Sequence, residues 1–188
     1  MAETGTRRWT IADLESLPDE PGTRYEIING ELFVTRQPHF GHQECGGKCV
    51  TALNNWNAQV GLGRVAGAPG VIFGESDAVA PDIVWISHER LASLLDNAGH
   101  LQGAPELVVE ILSPGARNQR RDLELKLRLY SERGVEEYWI LDWRAQTVAV
   151  YRRQGRQLQL VATLHTADTL TSPLLPGFSV PVGFLFQP

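Results

Sequence analysis

The run Leu107-Val108-Val109-Glu110-Ile111-Leu112 constrains this chain more than any other segment. Pro105 precedes it and Ser113-Pro114-Gly115 follows it, so five apolar residues and one acid form a bounded piece of strand length. Such a run between turn signals reads as a central strand covered on both faces. An ionised carboxylate buried there alone is costly unless it is paired or bound to a metal. Asp82 has a similar setting: Pro81 places it at the head of the strand-like Asp82-Ile83-Val84-Trp85-Ile86. Two acids at buried strand positions point to a site that holds a cation. On neighbouring strands their oxygens would meet. Hard divalent cations take such ligands, and Mg²⁺ keeps several waters beside one or two carboxylates. The backbone carbonyl of Ile111 is a further candidate ligand.

At 188 residues the chain is long enough to bury a real core, and no linker, repeat or low-complexity block divides it, so a single domain over 1–188 is expected. No stretch has the apolar length of a membrane span. Met1 to Thr10 lacks the apolar core of a signal peptide, which makes the cytoplasm the default compartment. Cys45 and Cys49 form no disulfide framework. With His42 they make an incomplete zinc set, since zinc usually takes four ligands. On a helix, His42, Cys45, Cys49, Leu53 and Trp56 share one face, which favours core packing for the cysteines.

The net charge of −5 argues against indiscriminate nucleic-acid binding, but its distribution is uneven. Residues 117–156 hold ten Lys/Arg and six Asp/Glu, hence +4, leaving −9 for the remainder. Arg117, Arg120, Arg121, Lys126, Arg128 and Arg133 form one basic group; Arg144, Arg152, Arg153 and Arg156 form another. They make either a solvated basic face or a track for a phosphate backbone.

Thr10 to Leu17 reads as a short helix with Thr10 as cap. Asn29-Gly30 between Arg24–Ile28 and Glu31–Val34 signals a hairpin, because both turn residues must accept positive φ. Gly41 to Asn57 follows the helical stripe named above. Strands are expected around 64–66, 71–73 and 82–86, then a helix or loop over 88–97. Over 118–133 two patterns compete. Leu123, Leu125, Leu127 and Leu129 alternate as in a strand, yet no residue from Asp122 to Tyr130 is β-branched and the composition favours helix. Helix is the better reading, with Asn118 capping its start and Gly134 its end. It aligns Asp122, Lys126 and Tyr130 on one face. A strand over 137–142, a hairpin over 147–163 and a packed apolar tail over 173–188 follow. The order predicts an α+β fold, a mixed sheet flanked by helices.

Lys126 is one of two lysines, Lys48 being the other, against fifteen arginines. It lies on the helix directly after the Glu110 strand. A nearby ammonium could orient a water or stabilise a transition state, or simply pair with Asp122 four residues earlier.

Taken together, Tyr25-Glu26-Ile27-Ile28-Asn29-Gly30-Glu31-Leu32, Pro81-Asp82-Ile83-Val84, Val109-Glu110-Ile111-Leu112-Ser113-Pro114, Asp122 through Lys126 to Tyr130, Gly134 to Asp142 and Leu175-Pro176-Gly177-Phe178 resemble the Uma-type family of restriction endonucleases, within the PD-(D/E)xK nuclease superfamily. The resemblance spans nearly the whole chain. It implies a restriction-endonuclease-like core, Mg²⁺ or Mn²⁺ as cofactor, DNA as substrate and a homodimer. It implies Asp82 and Glu110 as metal ligands and Lys126 as the catalytic lysine, because Leu112 stands where the superfamily pattern has lysine. Glu26, Glu31 and His42 match the family's amino-terminal region, and either glutamate could add a carboxylate; Glu31 is carried among the catalytic candidates. Asp122 and Tyr130 would support Lys126, while Asp142 reads as a turn residue. Two other readings stay open: a nuclease-fold DNA-binding or accessory protein that does not cut, and a small-molecule-binding or structural domain whose buried acids pair with arginines.

Overall fold

The computed structural model describes residues 7–14, 16–18 and 20–187; positions 1–6, 15, 19 and 188, including parts of the expected first helix and tail, lie outside them. The chain opens with one helical turn, α1 (Ile11–Leu14), and the hairpin β1 (Arg24–Ile28) and β2 (Glu31–Thr35). Asn29 and Gly30 have φ of 51° and 76°, the double positive turn that their sequence announces. Next come α2 (Phe40–Val60), β3 (Gly63–Gly67), β4 (Val71–Gly74), β5 (Asp77–Val79), β6 (Ile83–Ser87) and α3 (His88–Leu94). After β7 (Leu107–Ile111) the crossover runs through α4 (Ala116–Arg120), a π-helical turn over Arg121–Leu125 and α5 (Lys126–Arg133). The remainder is β8 (Glu137–Asp142), β9 (Thr147–Gln154), β10 (Gln157–Leu164), β11 (Thr169–Thr171), β12 (Ser179–Pro181) and α6 (Val182–Phe186).

Six strands form the main sheet in the order β10-β9-β8-β7-β6-β3. Only β7 and β8 run parallel, because the helical crossover returns the chain in the same direction. A second sheet, β2-β1-β5-β4, and a small β11–β12 ladder complete the α+β architecture, a mixed sheet flanked by helices. The strand β7 is central and buried along its whole length. Strand alternation then sorts its side chains: Val109 and Ile111 face one core, and Val108 and Glu110 face the other.

The first core lies under α2. His42, Cys45, Cys49, Leu53 and Trp56 are its buried residues, the stripe expected from spacing. The two cysteines are free and packed, and burial pushes the Cys45 thiol up to about 12. The tail joins this core through Leu175, Phe178, Val180, Val182 and Leu185. The second core lies between the main sheet, the first hairpin and α5, and holds Ile28, Phe33, Leu129, Tyr130, Tyr138 and Ile140.

Three expectations change. The helix over 118–133 exists but begins at Ala116, and its middle widens into a π-turn. Asn118 does not cap it: Gly115 stands at the cap, and the Asn118 side chain donates to the Pro114 carbonyl 2.8 Å away. Strands β5, β11 and β12 escape sequence reading because each is three residues long. Gly134 does end α5 in the left-handed conformation, with φ of 94°.

Backbone approach at β3 is close enough to exclude a side chain. A Cβ on Gly63 would stand 2.2 Å from the Ile86 carbonyl oxygen on the paired strand. On Gly47, within α2, it would meet nothing within 4 Å. Urea denaturation of Gly63→Ala should show a loss of about 1–3 kcal/mol. Gly47→Ala should gain about 0.4–1 kcal/mol, because alanine favours the helix and restricts the unfolded chain.

Candidate active site

Asp82 and Glu110 meet because of strand register. The pairing of β6 with β7 sets Ile83 opposite Val109, and one step further brings Asp82 opposite Glu110. Asp82 lies just before β6, with one carboxylate oxygen accepting the Ile111 amide at 2.9 Å and approached by His42 Nε2 at 3.2 Å. Its other oxygen accepts from Arg24 at 3.1 Å. Burial alone would raise this carboxyl. The His42 contact and the Ile111 amide outweigh burial and hold it well below the ordinary carboxylate range.

Lys126 stands at the centre, 1% exposed. Its Nζ is 2.8 Å from Oε1 of Glu110, 2.8 Å from Oε1 of Glu26 and 3.9 Å from Oδ1 of Asp122. Burial disfavours the ammonium, but the Glu110 and Glu26 charges raise its pKa, so it remains protonated. Tyr130 donates to the same Glu110 oxygen at 2.9 Å. Glu26 also accepts the Ala80 amide at 2.9 Å, which ties the first hairpin to the start of β6. Against burial, Lys126 and Arg121 keep Glu26 ionised.

The π-turn supplies the rest. It buries two adjacent residues, Arg121 and Asp122, whereas neighbours in a regular α-helix diverge by about 100°. Arg121 grips Asp122 in a bidentate pair, at 2.6 and 3.0 Å, and its remaining nitrogen lies 3.7 Å from Glu26. That nitrogen and Nδ1 of His42 are buried without a hydrogen-bond partner. Both side chains line a cavity of about 230 Å³, together with Arg24, Glu26, Asp82, Glu110 and Ser113.

Of the residues singled out from sequence, Asp82, Glu110, Lys126, Asp122, Tyr130 and His42 are brought together. Ile111 reaches the cluster through its amide. Glu31 does not join. It sits at the exposed start of β2, 3.8 Å from Arg117, while its hairpin neighbour Glu26 points inward. The physical reason is position and not alternation: the register sets Glu26 opposite the buried Phe33 and Glu31 opposite Ile28 on the same face, but Glu31 stands at the exposed turn end of that face. Arg24 and Arg121 escaped sequence reasoning as site residues. The first had no signal beyond its place in the hairpin, and the second depends on the π-turn. Asp142 is a turn residue, its carboxylate accepting the Arg144 and Ala145 amides at 3.0 Å each.

Part of the basic segment is spent on contacts within the chain. Arg121 and Lys126 are buried in the cluster. Arg133 pairs with Asp77, Arg128 with Glu132 and Arg152 with Glu137, and Arg153 donates to the carbonyls of Tyr130, Ser131 and Val135.

A divalent cation fits this donor set in charge and hardness. Four carboxylates, Glu26, Asp82, Glu110 and Asp122, face three permanent cations, Lys126, Arg121 and Arg24. Burial first, and then the Asp82 and Asp122 charges, push Glu110 up to about 8 despite Lys126. A proton on Glu110 or a bound cation would cancel the surplus charge. Among the described residues, no three His, Cys, Asp or Glu side chains are grouped so as to hold an ion by themselves. An ion here would rest on one or two carboxylates and waters, the usual manner of Mg²⁺.

The fold is a nuclease-like α+β fold. The family model of Uma2, described as "Putative restriction endonuclease", matches residues 11–183. The chain belongs to the Uma2 family. Among solved structures, a putative nuclease of DUF820 from Anabaena variabilis superposes with a TM-score of 0.74 at 21% identity, covering 94% of this chain and 97% of that one. The type IIG restriction endonuclease BpuSI matches with a TM-score of 0.39 at 14% identity, over 79% of this chain and 16% of that one. No curated protein matches by sequence.

The Glu110 carboxyl generates a pH prediction. Its folded pKa is raised above the ordinary 4.5, so its contribution to stability is full below that value and is lost as pH rises toward about 8. In metal-free buffer, wild-type stability should fall between these limits. Glu110→Gln, which cannot titrate, should flatten that slope, as read by urea denaturation at stepped pH.

Proposed function

We propose that this chain is a single-domain, metal-dependent DNA endonuclease that hydrolyses phosphodiester bonds with Mg²⁺ or Mn²⁺. The observation that carries this reading is the convergence of Glu26, Asp82 and Glu110 on one cavity, with surplus negative charge and a buried lysine behind them. Membership of the Uma2 family and the likeness to a structure titled a putative nuclease support the same class. Asp82 and Glu110 would hold the ion, with the Ile111 carbonyl as an added ligand. A bound divalent ion would supply an activated water and offset charge on the phosphate.

The chain's own residues have distinct tasks in this reading. Lys126 holds Glu110 and Glu26 at fixed separation and keeps both carboxylates beside the cavity. Tyr130 fixes the Glu110 rotamer, and His42 with Arg24 does the same for Asp82. Arg121 places its unpaired nitrogen on the cavity wall, where it can meet a phosphate oxygen. Two copies acting together would cut two strands. Among the described residues, no helix is long and apolar enough to cross a membrane.

One observation favours the alternative, a nuclease-fold DNA-binding protein that does not cut. Lys126 is sealed between carboxylates and lies off the cavity wall.

Incubation of supercoiled plasmid with Mg²⁺ or Mn²⁺ tests both readings. The wild type should nick or linearise the DNA, Asp82→Asn and Glu110→Gln should abolish cutting, and Lys126→Met should slow it about 100-fold or more. Cutting that persists in all three variants would overturn the assigned site. DNA binding without any cutting, by protein that takes up Mn²⁺ calorimetrically, would establish the alternative.

A further inference from the structure

Beside the carboxylate cavity lies a group of aromatic and cationic side chains that the proposed chemistry does not use. Phe40, the first residue of α2, is 78% exposed, the highest value for a large hydrophobic side chain among the described residues. His39, just before it, stacks on Trp143 with ring centroids 4.7 Å apart and planes 19° from parallel. The Arg144 guanidinium lies over the Trp143 ring, 5.1 Å from its centroid. Gly41 makes this approach possible, since a Cβ there would stand 2.7 Å from the indole. His39, Trp143 and Arg144, from distant parts of the chain, thus form one layered stack, and Phe40 stands exposed next to His39 in the chain.

The stack is joined to the cavity through its neighbours in the chain. Pro38, His42 and Gln43 line the cavity on either side of His39-Phe40 in the chain, and Ser113 lines it opposite. The Leu112 amide donates to the Leu141 carbonyl at 2.9 Å, which keeps the Ser113 turn beside the strand that leads into Trp143. Scattered exposed aromatics are ordinary on protein surfaces. This arrangement differs because the His39 and Trp143 rings are stacked, a guanidinium lies over the indole, and the residues on both sides of His39-Phe40 in the chain line a charged cleft. Arg24 and Arg36 add positive charge on the adjoining wall. The one acid in the turn, Asp142, is engaged by backbone amides.

We propose that His39, Phe40, Trp143 and Arg144 form a stacking platform for an unpaired base of the DNA whose phosphate enters the cavity. This deepens the nuclease reading and rests on it for the identity of the strand. In a duplex both faces of a base are covered by its neighbours, so exposed rings of this kind receive bases only from single-stranded or locally melted DNA. Arg144 adds a planar cation that both stacks on a base and meets the phosphate backbone. The substrate class is therefore single-stranded DNA or a duplex with a flap, bubble or frayed end.

The test is binding in EDTA, where cleavage plays no part. Fluorescence anisotropy would compare a labelled oligothymidine with a hairpin duplex of equal nucleotide length, with quenching of tryptophan emission as a second readout. The wild type should bind the single strand at least about tenfold more tightly than the duplex. Phe40→Ala and Arg144→Ala should each weaken single-strand binding about tenfold, and Phe40→Trp should restore it. Phe40 and Arg144 are exposed, and circular dichroism would verify that the variants fold. Equal affinity for strand and duplex, or unchanged single-strand binding by Phe40→Ala and Arg144→Ala, would overturn the platform. Protein that shows the preference but never cuts plasmid upholds the platform and removes the nuclease reading. Protein that cuts but binds strand and duplex alike removes the platform alone.

Discussion

One buried ammonium joins three parts of the fold. Lys126 belongs to the crossover helix, Glu110 to the centre of the main sheet and Glu26 to the first hairpin, and a single nitrogen stands 2.8 Å from an oxygen of each glutamate. Exchange of Lys126 for a neutral residue would leave the buried glutamates without their shared cation, a situation that costs about 3–5 kcal/mol for a buried pair. The ion triad therefore does two jobs that cannot be separated by location: it orients the cavity's acids, and it fastens the hairpin sheet to the main sheet. The same argument explains why the cluster tolerates so little exposure. Desolvation strengthens each contact once all partners are in place.

Much of this was legible in the residues, and the reasons differ from element to element. The central strand followed from an apolar run with defined ends, the first hairpin from Asn29-Gly30, and the α2 face from residues at helical spacing. Asp82 and Glu110 could be paired because each interrupted an apolar strand with a charge that needed a partner. Glu26 and Glu31 could not be separated, because a five-residue strand with one covered face gives little pattern on which to rest a choice. The three-residue strands β5, β11 and β12 carry too few side chains to show alternation at all. Arg121 was hidden for another reason: its direction depends on a backbone irregularity that no residue in the segment announces.

The position of Leu112 explains why the buried cation comes from a helix and not from the strand. Leu112 is half-buried after the end of β7, and its amide bonds across to β8. A lysine there would project from the strand bearing Glu110. Lys126 instead comes from the helix packed above that strand, and so reaches Glu110 from the covered side. Its charge is supplied from behind the carboxylates and not from beside them, which leaves the cavity wall to arginines and to His42.

The π-turn has a consequence for how the crossover helix can vary. A π-turn holds one residue more than an α-turn, so the helix carries what amounts to a stored insertion. On either side of it the two helical stretches are out of phase by about 100°. The loop-side stretch can therefore present Arg117 toward Glu31 and the exterior, while the far stretch keeps Lys126 and Tyr130 on Glu110. Sequence drift in α4 is decoupled from the geometry of the cluster, provided that the spacing between Arg121 and Lys126 is kept. Length, more than residue identity, is what this segment has to preserve.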